Sequence, residues 1–109
     1  MITDNGLRAL TGQCKKLDDL SVRGCGQIRG VGFLADTLGG SMLVNICEEM
    51  RILDIGGCAL VTDAAVTWVS DSCVSLRELR MGGCGKVGDG GLAAVARRCR
   101  SLQILDVSR

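Results

Sequence analysis

The chain has 109 residues and a formal charge of +1, so one domain at most is expected, without a strong pull toward nucleic acid or anionic lipid. Hydrophobic residues make up 47%, enough for a packed core, while the aromatics are only Phe33 and Trp68. No apolar run approaches the roughly 20 residues of a membrane span, and with no histidine in the chain there is no His-based triad or acid–base pair.

Seven cysteines set the frame. Cys47, Cys73 and Cys99 are 26 residues apart, and so are Cys58 and Cys84. Apolar residues recur in phase with them, which marks an internal repeat. No two cysteines have the close spacing that lets one turn supply two metal thiolates. They read as buried, reduced thiols acting as small hydrophobes. A disulfide scaffold would leave one thiol over, and Met1-Ile2-Thr3-Asp4 lacks the basic and apolar segments of a secretory signal. The expectation is an intracellular, reducing compartment, cytoplasmic, ciliary or organellar.

In chain order, residues 2–13 read as the second half of a unit. Ile2 matches Val61 and Val87; Thr3-Asp4 matches Thr62-Asp63 and Gly88-Asp89. Asp at that point is expected to cap its own helix, its carboxylate accepting from free backbone N–H groups. Leu7 and Leu10 then lie one helical turn apart, like Val66 and Val69, and Leu92 and Val95. Residues 17–22 are the first strand, with Leu20 and Val22 facing inward and Asp19 and Ser21 outward. The turn Arg23-Gly24-Cys25-Gly26 ends it.

Residues 28–47 break the period. Cys25 to Cys47 is 22 residues where Cys58 to Cys73 is 15, an insertion of seven. Phe33 and Leu43 keep the helix phase, with Gly39-Gly40 between them. A Gly pair is costly inside a helix. The pattern predicts a helix over 31–38, a Gly-Gly bulge and a short helical turn into Cys47. Two regular units follow, with strands centred on Leu53–Ile55 and Leu79–Met81 and helices over 63–72 and 89–98. Residues 102–107 begin another strand. The expected organisation is a single domain, 1–109, of about three and a half repeats: a partial unit 2–14, units 14–47, 47–73 and 73–99, and a partial unit 99–109. Both ends of the array read as open, so neighbouring chain or partner protein is expected to cap them.

Leu-x-x-Leu-x-Leu-x-x-Cys-x-x-Ile, then Thr-Asp, an amphipathic helix and a final Cys-x-x-Leu, resembles the cysteine-containing leucine-rich repeat. The resemblance spans nearly the whole chain and is closest to the repeat region of F-box proteins, the substrate receptors of cullin-type ubiquitin ligases. Similar repeats occur in proteins of cilia and other large assemblies. The resemblance implies an α/β fold: a right-handed solenoid, a horseshoe segment with short parallel strands on the concave face and helices on the convex face. It also implies that Cys25, Cys58 and Cys84 take the turn position, each thiol tucked against the next unit's backbone. The F-box itself is absent from these residues.

Gly83-Cys84-Gly85-Lys86-Val87-Gly88 is a literal G-x-G-x-x-G between a strand and a helix, with Asp106 about 20 residues on, the layout of a dinucleotide site. The same turn recurs as Gly24-Cys25-Gly26 and Gly57-Cys58-Ala59 without the third glycine, so the repeat explains it better. Asp54, Arg80 and Asp106 hold one position of successive strands, where alternating signs support register; a partner could read the same row. Ile52 and Ile104 point outward in the column of Asp19 and Glu78, as partner contacts or as scattered surface hydrophobes. Trp68 occupies a helix slot where Ala9 and Ala94 are small, as an anchor or as filling beside the enlarged unit. Arg97, Arg98 and Arg100 read as compensation of a helix terminus.

The expected function is a non-catalytic protein–protein interaction module, most like the substrate-recognition part of an F-box-type receptor. Its partner-binding residues are Asp19, Ser21, Arg23, Ile52, Asp54, Glu78, Arg80, Ile104 and Asp106 on the strand face, the insertion around 36–42, and Trp68. The alternative is a scaffold subunit of a large ciliary or organellar assembly, its ends capped by neighbours. No catalytic, metal or cofactor-binding residue is expected, and no nucleic acid partner.

Overall fold

The computed structural model describes residues 6, 16–28 and 49–108, apart from the side chains of Trp68 and Ser72. Of the expected half unit over 2–13 only Gly6 is described, and it is helical; the helix over 31–38 and the insertion around 36–42 lie outside the described residues.

Four three-residue strands form one sheet: β1 (Asp19–Ser21), β2 (Ile52–Asp54), β3 (Glu78–Arg80) and β4 (Ile104–Asp106). They pair in chain order, and every pair is parallel. Between them run α1 (Asp63–Ser72) and α2 (Asp89–Arg98), which pack against each other. The result is an α/β repeat: strand, cysteine turn, helix, strand.

Alternation decides which strand residues go inside. Leu20, Leu53 and Leu79 sit in one register row and are buried, followed two residues later by Val22, Ile55 and Met81. Against them pack Val61, Ala65, Val66 and Val69 from the α1 side, and Val95 with partly buried Leu92 from α2. Each fully buried Leu, Ile or Val contributes roughly 1.5–3 kcal/mol, which offsets the cost of ordering such short strands. Ser70, the buried polar residue of α1, is accommodated because its hydroxyl donates to the Val66 carbonyl at 2.8 Å.

The turn after each strand is the same three times over. The N–H of Cys25, Cys58 and Cys84 donates to the carbonyl of Val22, Ile55 and Met81 respectively, at 3.1, 3.1 and 3.3 Å. The glycine before each cysteine has a positive φ, 77° at Gly24, 75° at Gly57 and 79° at Gly83, where a side chain would be strained. The ladder extends into this turn: the N–H of Gly24 donates to Gly56 O, and that of Gly57 to Gly82 O, both at 2.7 Å.

Two expectations about neighbouring units are corrected. The turn thiols reach the preceding unit rather than the next one. Cys58 Sγ donates to Val22 O at 3.3 Å and Cys84 Sγ to Ile55 O at 3.1 Å. Each cysteine follows its strand on the side where the carbonyl just after the earlier strand is within reach of a short thiol. Nor does the aspartate cap its own helix. The cap positions belong to Thr62 and Gly88, neither of which makes a side-chain capping bond. Asp63 is the first helical residue of α1, and its Oδ1 accepts from Gly88 N at 2.8 Å and Gly91 N at 3.0 Å. The side-by-side helices place the start of α2 over the carboxylate of α1.

Candidate partner-binding face

The sheet has one face against the helices and one turned away from them. Outward residues fall into two rows. The first is Asp19, Ile52, Glu78 and Ile104; the second is Ser21, Asp54, Arg80 and Asp106. Eight of the residues expected to bind a partner therefore lie on one surface, at a strand spacing of about 4.8 Å. Arg23 joins them by reaching forward: its Nη1 lies 3.1 Å from Asp54 Oδ1. Trp68 is not brought to this surface, since its backbone belongs to α1 behind the sheet, and its side chain lies outside the described residues.

Of the alternating ladder expected for Asp54, Arg80 and Asp106, the pair Arg80–Asp106 forms, at 3.9 Å, and Asp54 pairs elsewhere. Asp54 is taken by Arg23 and by the N–H of Gly56, which donates to the same oxygen at 2.9 Å. Arg80 turns to Glu78 on its own strand, Nε to Oε2 at 2.8 Å, and stands 3.9 Å from Asp106. A guanidinium reaches a carboxylate two residues away on the same face as readily as one across the ladder. The bond and charge of Glu78 raise the pKa of Arg80 above its ordinary value. Asp106 is held below the usual carboxylate range because Ser108 donates to it twice, from N at 3.0 Å and from Oγ at 2.8 Å. Ser108 was not singled out from the sequence; its signal is the Asp-x-Ser spacing just beyond a strand.

Ile52 and Ile104 flank Glu78 in one row, and Ile104 is 44% exposed. A partner would meet two aliphatic side chains beside a chain of fixed charges. Among the described residues, no group of three or more His, Cys, Asp or Glu is placed to hold a metal ion.

The glycine-rich turn is accounted for by packing. Gly83 stands over Gly57, where a Cβ would come within 3.4 Å of the Gly57 Cα. Cys84 points into the core. The N–H groups of Gly88 and Gly91, which a dinucleotide phosphate would need, already donate to the Asp63 carboxylate. An anion there would meet a negative charge.

The stretch from the end of α1 through β3 and into α2, residues 72–96, matches the family model described as Leucine Rich repeat. That stretch is similar to a leucine-rich repeat. The unit before it has the same strand, turn and helix, with Leu53, Ile55, Cys58 and Val61 buried like Leu79, Met81, Cys84 and the half-buried Val87. No curated protein matches the chain. Among the described residues, no helix is long and apolar enough to cross a membrane.

Proposed function

We propose that this chain is a leucine-rich-repeat interaction module, a segment of right-handed solenoid whose strand face binds another protein without catalysis. The observation that carries the reading is the outward row Asp19–Ile52–Glu78–Ile104, which sets half-buried Ile52 and exposed Ile104 on either side of Glu78, itself held by Arg80, on a sheet face that no described helix covers. The finer reading, a substrate-recognition part of an F-box-type ubiquitin ligase receptor, rests on the cysteine-bearing form of the repeat. The test is a photo-reactive residue at Ile104, with Ala96 on α2 as the reference position. Cross-linking from Ile104 to one protein in native lysate, and not from Ala96, is expected. Equal labelling from both positions would remove the strand face as the site. Co-isolation of a cullin and its adaptor would support the receptor form.

A second reading is favoured by a specific observation at β4. Leu105 holds the row of Leu20, Leu53 and Leu79, which are 7%, 0% and 1% exposed, yet it is 41% exposed itself. Val107 is 46% exposed, and a hollow of about 290 Å³ opens between Val107, Met81, Leu92 and Asp89. This supports a β4 edge covered by a further repeat or by neighbouring protein, as it would be in a scaffold subunit. Protection of the Leu105 and Val107 amides from hydrogen exchange in the native assembly, against free exchange in the isolated chain, is the expected result.

A further inference from the structure

We propose that the rim where the helices end and the strands begin is a second docking surface, for an extended, carboxylate-rich protein segment. This is a different surface from the strand face. Arg51 and Arg77 immediately precede β2 and β3 and are direct neighbours, the N–H of Arg77 donating to Arg51 O at 2.8 Å. Like charges side by side on adjacent strands are destabilising. Arg97 and Arg98 end α2, and Arg100 follows its cap. All five arginines are exposed. Among the described residues only Arg98 has an acidic partner, Asp71, at 3.2 Å.

On the strand face the opposite holds: Arg23 and Arg80 are both taken up by carboxylates of the chain itself. Compensation of the helix terminus accounts for Arg97, Arg98 and Arg100 at most. It does not account for Arg51 and Arg77, which start strands, and the last turn of α1 has no basic residue at all.

The five guanidiniums rim two open hollows. One, of about 350 Å³, lies among Asp71, Val74, Arg97, Arg98 and Arg100. The other, of about 250 Å³, lies among Glu49, Arg51, Ser75 and Arg77. They adjoin through the consecutive pairs Val74-Ser75 and Arg100-Ser101. Hollows in series suit an extended chain, and the planar fork of arginine suits carboxylates. Val74, 55% exposed at the junction, offers one apolar contact between them. A nucleic acid fits less well. Among the described residues, the rim has no aromatic side chain on which bases could stack.

The experiment is fluorescence anisotropy on the full chain with a labelled dodecapeptide of alternating Glu and Leu. A Lys–Leu peptide and a single-stranded RNA serve as comparison probes. Saturable binding of the Glu–Leu peptide that weakens with salt is expected. The double variant Arg77→Glu, Arg100→Glu should weaken it at least about tenfold, and Ile104→Ser on the strand face should leave it unchanged. Circular dichroism checks the fold; if the reversals disturb it, Arg77→Gln with Arg100→Gln should still weaken binding severalfold. No binding, binding insensitive to both double variants, loss of binding on Ile104→Ser, or tighter binding of the RNA or the Lys–Leu peptide would each overturn the proposal.

Discussion

The carboxylate of Asp63, at the start of α1, accepts the N–H of Gly91 in the first turn of α2 at 3.0 Å, across 28 positions of sequence. It accepts Gly88 N as well, at 2.8 Å, so one helix begins by capping the next. The first N–H groups of a helix have no partner inside it. Asp63→Ala should therefore cost about 1–2 kcal/mol, the range for losing a helix cap. Asp89 holds the matching place in α2 and makes no such bond among the described residues, so Asp89→Ala should cost only a few tenths of that. Urea denaturation of the two variants checks this; equal midpoints would remove the cross-unit cap.

The glycine turns offer a second comparison. Gly57 has φ 75° and sits where a Cβ would come within 3.4 Å of Gly24 Cα, whereas a Cβ at Gly85 meets nothing within 4 Å and needs no positive φ. Gly57→Ala should destabilise by about 1–3 kcal/mol. Gly85→Ala should be neutral or slightly stabilising. Thermal melts of the pair at equal concentration read the difference.

Core position and end position differ in the same register row. Leu53 is fully buried and Leu105 is 41% exposed. Leu53→Ala should cost about 2–5 kcal/mol, and Leu105→Ala well under half of that in the isolated chain. If a neighbour covers β4 in the assembly, Leu105→Ala should instead weaken that association, which sedimentation at a series of dilutions would detect.

The buried thiols set an alkaline limit. Burial pushes Cys58 from its ordinary 9.0 up to about 11. The folded state therefore keeps its proton where the unfolded state has lost it. Stability from this group is complete below pH 9.0 and declines as pH rises toward about 11. Urea midpoints measured across that window should fall for the wild type. For Cys58→Ala, which lowers stability at neutral pH, the fall should be shallower.

The inward strand residues were readable in advance because a 26-residue period forces Leu53 and Leu79 into one column, and period-two alternation assigns their face. The outward rows followed from the same two facts. Partner choice along those rows was not readable. Asp54 bonds to Arg23, which lies beyond β1, and Arg80 to Glu78 on its own strand. Flexible side chains choose by reach, and reach depends on how the turn after β1 folds back. The direction of the thiols was misjudged because spacing says that two units touch, without saying whose carbonyl is nearer. The Asp63 cap was hidden for a related reason: it depends on the relative height of two helices, which no single-helix pattern encodes. Arg51 and Arg77 are not singled out by the sequence pattern; it is the fold that sets them, at strand starts, on one rim with the arginines ending α2.

The cysteine turns carry one more consequence. Cys25 is half-buried, and Cys58 and Cys84 are buried against the carbonyl of the unit before them. A thiol-reactive dye can reach such a sulfur only when the interface between two units parts. The protein therefore holds its own set of clocks, one per junction. The order in which the cysteines label would report, without any introduced probe, which unit peels away first and whether a bound partner slows it.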